Sequence, residues 1–233
     1  MGPLVAFWVL FLHTLTTRAG RAGVYARLPA EWALDLLGLL VQGTVVPWLG
    51  VLVGAVLWAR ILPGGLVDVG WLGGFLLNFV LVDYLYYWNH RLLHVWWPVH
   101  QVHHTARAMD VLVTSRNTLW ASLFIVYVWV HGLFVHLLVD PSGYVFGVAA
   151  TACLDLWRHS GAQVSVPGLI QPRDHAWHHS LDRANVNYGA NWTWWDRLHG
   201  TFHRPGPLPV TLGIPTGLSW ARTFWWPFPR AAS

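Results

Sequence analysis

Eight histidines fall in three tight clusters: His90 with His94, His100 with His103 and His104, and His175 with His178 and His179. Written as patterns these are HxxxH, HxxHH and HxxHH. Spacings of three and four residues place imidazoles on one helix face, about one turn apart. Neutral imidazole is the commonest nitrogen ligand for iron, zinc and copper. Buried imidazoles without partners carry a desolvation cost, and each cluster lies where an apolar run gives way to polar sequence. The arrangement therefore indicates a polynuclear metal site rather than solvated or core histidines.

What is missing narrows the metal. Glu31 is the one glutamate and lies far from the clusters, which excludes a ferritin-like site built from Glu and Glu-x-x-His motifs. HExxH is absent, which argues against zinc hydrolases of that kind. Eight or more nitrogen ligands can give two metals four each with positions left open for oxygen. Two iron ions are the expectation, and zinc could occupy the same ligands in a purified sample. Cys153 is the single cysteine of the 233 residues, so no disulfide framework, zinc ribbon or cysteine-ligated iron–sulfur cluster is expected.

The elements that must position these ligands are apolar. A composition 55% hydrophobic and 10% charged, with a mean hydropathy of +0.42, reads as an integral membrane protein. Hydrophobic runs fall at roughly 3–17, 31–59, 69–89, 117–139 and 143–157. They give four to five spans, the first and last being short against the ~20 residues of a full crossing. The first run lacks a basic flank before it and a small-residue cleavage site after it, and is expected to be a membrane helix rather than a signal peptide. The second contains Gly43 and Pro47 and could fold as a helical hairpin. The tail after Gly200 reads as surface-lying, with Trp220, Phe224, Trp225, Trp226 and Phe228 as candidates for an interfacial belt.

All 14 basic residues are arginine, which reads as the codon bias of a GC-rich genome. Arg18, Arg21 and Arg27 follow the first run, Arg91, Arg107 and Arg116 the third, and Arg158, Arg173, Arg183, Arg197 and Arg204 the fifth, with Arg60 on the other side. That bias orients the amino terminus outside and every histidine cluster toward the cytoplasm, in a bacterial cytoplasmic membrane. The basic residues are scattered rather than striped, so nucleic acid is not an expected partner.

Asp83, His90 and His94 share one stripe of a helix continuing out of the third span, with Asp83 deeper and suited to accept a ligand's other ring N–H. Pro98 ends that helix and can start another carrying His100, His103 and His104. Asp174, after Pro172, reads as the N-cap of a third short helix bearing His175, His178 and His179. The expected fold is all-α: a helical membrane bundle with a cytoplasmic-face cap of short helices carrying a dimetal site. Residues 1–82 supply N-terminal membrane helices, 83–204 the catalytic region and 205–233 a Pro- and Trp-rich interfacial tail.

From Asp83 to Phe228 the sequence resembles the fatty acid hydroxylase and sterol desaturase superfamily of membrane di-iron oxygenases. The motifs are DYLYYWNHRLLH at 83–94, WPVHQVHH at 97–104, LWRHSG at 156–161, HAWHH at 175–179, NYGANWTWWDRLHGT at 187–201, and a trailing GIP and WPF. The resemblance implies metal ligation by the eight clustered histidines, with His159 as a ninth ligand, and makes Asn187 and Asp196, beside Asp83 and Asp174, partners that organise the ligands. His199 departs from the family's usual aromatic residue. With His203 it forms an i, i+4 pair, either an auxiliary ligand or a polar surface pair. His13, His131 and His136 are expected to make hydrogen bonds between helices.

The resemblance further implies dioxygen-dependent hydroxylation of an unactivated C–H bond in a lipid, or desaturation at the same site. The lipid would enter between apolar helices and exclude water. Trp88, Trp96, Trp97, Trp177, Trp192, Trp194 and Trp195 are candidates for that wall. No Gly-x-Gly-x-x-Gly stretch and no haem module is apparent, so a separate reductase, cytochrome or ferredoxin is implied as electron donor. The alternatives are a membrane metal transporter or sensor and a catalytically dead scaffold. Transporters place ligands near the bilayer midplane, often in repeated halves, whereas these clusters lie at the ends of spans on one side.

Overall fold

The computed structural model describes residues 1–121 and 126–228; the parts of the fourth run at 122–125 and of the tail at 229–233 lie outside the described residues. The fold is helical. Among the described residues there is no strand, only isolated bridges such as Val67 with Leu138 and Leu169 with Trp192.

Helix α1 is Gly2–Thr16 and α2 is Arg18–Tyr25, started by the Thr17 hydroxyl accepting from the Gly20 N–H. The second run is one continuous helix, α3. It begins as Pro29–Leu40, loosens to a π-helical turn at Val41–Val45, resumes as Val46–Val53, loosens again at Gly54–Trp58 and ends as Ala59–Ile61. The hairpin expected at Gly43 and Pro47 is absent. The backbone stays in the right-handed region at each junction, and the π turns absorb what the proline would disrupt. Within it, Pro29–Gly50 has the length and apolar composition to cross a membrane. Helix α4 runs as Gly70–Leu76, a π segment Leu77–Val82, and Asp83–Val95, so the first histidine pair does sit on a helix continuing out of an apolar run.

The second cluster differs from expectation. Helix α5 is only Trp97–His100, and after a turn His103–Thr105 forms a 3-10 helix, so its three histidines do not share one α-helix. Val126–Leu137 is α6, Ser142–His159 is α7, Pro172–His178 is α8, Thr193–Leu198 is α9 and Trp220–Trp225 is α10.

Helix α7 packs along α4 and α1, and α6 along the second half of α3. The α4–α7 crossing is close: a Cβ on Gly143 would stand 1.9 Å from the Trp71 carbonyl oxygen. The outward faces are apolar, with Leu4, Trp8 and Leu12 on α1, Trp48 and Leu52 on α3, Leu72 on α4 and Phe146 on α7 all exposed. The buried residues, by contrast, include many polar groups, among them eight histidines. The tail is docked rather than merely surface-lying. Phe224 is 1% exposed and packs with Leu34 and Val102, while Trp220, Trp225 and Trp226 stay exposed.

Beneath the histidines lies a buried ion network. Asp35, fully buried on α3, accepts from Arg116 Nε at 2.5 Å and Nη2 at 2.9 Å and from Arg27 Nε at 2.8 Å. Arg27 Nη2 also donates to Asp110 at 2.8 Å. Removing one partner of a buried pair leaves an uncompensated charge and costs about 3–5 kcal/mol. Asp35→Ala is therefore expected to lower the apparent Tm of the detergent-solubilised protein sharply, and an unchanged melting curve would contradict the network's role.

Candidate metal centre

The helices bring the predicted histidines together as two quartets. His90, His94, His100 and His178 form one; His103, His159, His175 and His179 form the other. Within each, the candidate ligand nitrogens all lie within 4.8 Å of one another, an arrangement that could hold a metal ion. His104 sits between them. Its ring centroid is 4.9 Å from His94, His100 and His178 of the first quartet and 4.5 Å from His179 of the second. The Nε2 atom of His104 is buried and has no hydrogen-bond partner.

Backbone carbonyls aim the rings. His90 Nδ1 lies 2.8 Å from the Tyr188 oxygen, His178 Nδ1 2.8 Å from Val186, His103 Nδ1 3.2 Å from Arg116 and His159 Nδ1 2.8 Å from Asp155. A carbonyl only accepts, so Nδ1 carries the proton in each and Nε2 presents a lone pair. His103 and His159 then face each other, Nε2 to Nε2, at 3.3 Å. Two lone pairs at that distance repel unless a cation or proton lies between them. Other Nε2 pairs stand equally close: His90 with His100 at 3.1 Å, His94 with His178 at 3.2 Å and His175 with His179 at 3.0 Å. The donor set therefore fits metal ions, and the orphaned Nε2 of His104 adds a further donor.

Protons are poorly suited to that place. Burial, reinforced for most of the rings by the neighbouring imidazoles, pushes His178 down to about 4 and His94 to about 2. The same causes hold His90, His100, His103, His104, His175 and His179 well below the ordinary histidine range.

The expected carboxylates act on the scaffold rather than on the rings. Asp83 accepts from the Asn191 N–H at 2.8 Å and the Trp195 indole N–H at 2.7 Å. Seven residues before His90 on a helix is roughly 10 Å, beyond contact with its ring. Asp174 is not the N-cap of α8. Pro172 fixes the first turn there, Gln171 is the cap, and Asp174, the third residue in, accepts from the Gln171 N–H at 2.9 Å. It also pairs with Arg204, whose Nε stands 2.6 Å away. Asp196 accepts from the Tyr188 and Gly189 N–H groups, each at 2.8 Å, and from the Thr201 hydroxyl at 2.7 Å, so it holds the turn whose carbonyl orients His90. Asn187, at φ 54°, bridges the Asp174 and His203 carbonyls. Asparagine tolerates that left-handed conformation better than most residues.

Of the tryptophans proposed as a wall, Trp97 lies against the cluster, its ring 5.5 Å from His94 and 5.1 Å from His104. Trp88 packs on His199, Trp177 on His203 and Trp194 on Trp192. His199 Nε2 is 3.3 Å from the Tyr84 hydroxyl, and neither His199 nor His203 belongs to a quartet. His131 bonds the Tyr144 hydroxyl across helices and His136 the Leu62 carbonyl.

Sequence reasoning missed Asp155, Arg158 and Tyr188. Asp155 Oδ1 is 3.2 Å from His159 Nδ1 and 2.5 Å from Arg158 Nη2, and the D-x-x-R-H spacing at the end of α7 was the available signal. Tyr188 covers His90, His94 and His178 with its ring. A cavity of about 50 Å³ is lined by His90 and His100 of the first quartet and His103, His159 and His175 of the second, together with Tyr86, Leu93, Thr114, Asn117, Asp155 and Arg158.

The depressed histidines make the metal-free fold pH-dependent. Between an ordinary histidine value of ~6.5 and about 4 the unfolded chain takes up protons that folded His178 refuses. Stability should be fully present above pH ~6.5 and fall steadily as pH drops from there toward 4. Thermal melts of metal-stripped protein across that range check it, and a Tm rising on acidification would contradict it.

A family model described as fatty acid hydroxylase matches residues 75–201, more than half of the chain. The chain is 34% identical over 148 residues to the ornithine lipid hydroxylase OlsE of Rhizobium tropici, covering 59% of this chain and 44% of that protein. It is 28% identical over 134 residues to the alkylglycerol monooxygenase of Homo sapiens, covering 53% and 29%. To a methylsterol monooxygenase of Aspergillus fumigatus it is 28% identical over 158 residues, covering 56% and 48%. The chain thus spans less than half the length of these curated relatives. No solved structure matches.

Proposed function

This chain belongs to the fatty acid hydroxylase family, and on that premise we propose that it is a membrane-bound di-iron oxygenase that hydroxylates an unactivated C–H bond of a lipid. The balance is R–H + O2 + 2 electrons + 2 protons giving R–OH + H2O. The observation that carries the proposal is the pair of all-histidine quartets whose Nε2 atoms approach one another to about 3 Å, with the Nδ1 protons of His103 and His159 held by carbonyls. Hydroxylation is preferred to desaturation because the relatives named above are hydroxylases and monooxygenases.

His90, His94, His100 and His178 would hold one iron and His103, His159, His175 and His179 the other, with His104 serving either from between them. Iron held by these histidines would supply the redox chemistry for oxygen activation and C–H oxidation, which zinc in the same ligands would not. The chain's own residues prepare the site. The carbonyls of Tyr188, Val186, Arg116 and Asp155 keep the Nδ1 protons in place, so that each ring offers Nε2 without reorganisation. Asp83, Asp174, Asn187 and Asp196 fix the 187–204 segment around them. Burial excludes water, and the 50 Å³ cavity bordered by Tyr86, Asn117 and histidines of both quartets has room for a diatomic molecule.

The apolar outward faces of α1, α3, α4 and α7 suit a bilayer, from which a lipid substrate would reach Trp97 and the histidines. We place the helices as four to five spans in a bacterial cytoplasmic membrane with the site toward the cytoplasm, as the arginine bias directs. Residues 83–204 are the catalytic unit. Cys153 is the sole cysteine of the sequence, so electrons are assigned to a separate donor protein.

The test is turnover of membrane lipid by the iron-loaded chain with a chemical or protein reductant under ¹⁸O2. The product should carry one ¹⁸O in a new hydroxyl. An alkene would redirect the assignment to desaturation, and metal flux without oxygen uptake would remove it. In His178→Ala, iron content and turnover should fall together by about tenfold or more while the protein still inserts; full activity would take His178 out of the ligand set.

A further inference from the structure

The two quartets are alike in residue type and unlike in what stands behind the rings. In the first, His90 and His178 turn Nδ1 to the carbonyl oxygens of Tyr188 and Val186, which are neutral acceptors. In the second, His103 does the same with the Arg116 carbonyl. His159 differs, because its Nδ1 meets two oxygens of one residue: the Asp155 carbonyl at 2.8 Å and the carboxylate Oδ1 at 3.2 Å. Among the described residues, His159 is the only quartet histidine paired with a carboxylate.

The helix dictates that arrangement. Asp155 and His159 are four apart near the end of α7, so their side chains lie one above the other on one face. Arg158 closes over the same carboxylate, with Nη2 2.5 Å from Oδ1, and is anchored in turn by donating from Nη1 to the Ala190 carbonyl at 2.8 Å. The guanidinium compensates the buried charge and fixes the direction of the carboxylate, whose oxygen has lone pairs enough for both donors. The Asp155 side chain is 26% exposed beside partners at 3% and 2%, and it lines the cavity bordered by both quartets, so there is space next to it.

We propose that Asp155 is a positioning residue that acts through His159, so that the second quartet takes up its ion before the first and holds it more tightly. A carboxylate accepting Nδ1–H fixes the ring and raises the basicity of Nε2, and losing such a partner lowers metal affinity about 10- to 100-fold. A carbonyl holds the ring without supplying a charge, so His90, His178 and His103 lack that gain. Since every other member of both quartets is an imidazole of the same kind, this one carboxylate sets the order of filling. The inference rests on the reading of the quartets as metal sites and deepens it by making the two ions inequivalent.

The test is competition for Zn2+ between a chelator and the metal-stripped full chain in detergent, an equilibrium that needs no turnover. Two zinc ions should bind in steps about tenfold or more apart. His175→Ala should remove the tighter step and His90→Ala the weaker, which assigns the order to the quartets. Asp155→Asn, of equal size and without the charge, should weaken the tighter step by about 10- to 100-fold and leave the other unchanged. Asp155→Glu, whose carboxylate stays on the same face with the cavity to take its extra methylene, should restore it; a purely structural role would lose the step in both variants. Equal steps in the wild-type chain, or a tighter step unmoved in Asp155→Asn, overturn the proposal while two bound zinc ions leave the metal reading standing. A chain that binds no zinc overturns both, and the wild-type titration decides even where a variant does not fold.

Discussion

The structure depends on one electrostatic constraint: imidazole lone pairs packed face to face in a buried space. Once backbone carbonyls have claimed the Nδ1 protons of His103 and His159, their Nε2 atoms at 3.3 Å have nothing to share but repulsion. Protonation would relieve it, but burial and adjacent rings oppose that. A divalent cation would relieve it without adding a proton, and the other close Nε2 pairs place further nitrogens within reach of the same ions. A metal held there would join binding and folding in one free-energy balance, since its ligation would supply stability to the cluster.

That constraint explains where polar groups are spent. A chain with apolar outward faces concentrates its buried hydrogen bonds at the histidine end, where Asp83, Asp174 and Asp196 each accept two or more bonds from the segments that carry or orient ligands. Gly189 shows how tight the packing is. A Cβ there would stand 2.7 Å from the Trp192 carbonyl oxygen and 2.8 Å from Asp196 Oδ2, so a side chain would push the Tyr188 turn off its place against His90. Helices α4, α7 and α8 and the short helical turns between 97 and 105 thus act as a rigid frame for nitrogen atoms, which is what a site made of neutral ligands requires.

The histidine clusters were legible in the sequence because their chemistry is carried by residue type and their spacing by the helix period. What orients them was not. Any residue supplies a carbonyl, so nothing marked Val186 or Arg116 as the acceptor for a ring eight or 13 positions earlier. The arginines show the same limit from the other side. Counted as orientation charges, Arg27 and Arg116 turn out to be buried partners of Asp35, eight and 81 residues distant. Asp83 and Asp174 were recognised as important and given the wrong partners, since spacing along a helix says which face a carboxylate occupies but not which neighbouring segment it meets. Gly43 and Pro47 marked an interruption in the second run but not its form, which is a π turn inside a continuous helix rather than a hairpin.

The central claim is that two metal ions sit among histidine nitrogens, and the most direct test is metal counting joined to X-ray absorption at the iron edge on anaerobically iron-loaded protein. The account predicts two irons per chain, each in a nitrogen-rich shell with imidazole scattering and no sulfur. A chain that binds one iron or none, or whose iron shows a shell without imidazole, would contradict it.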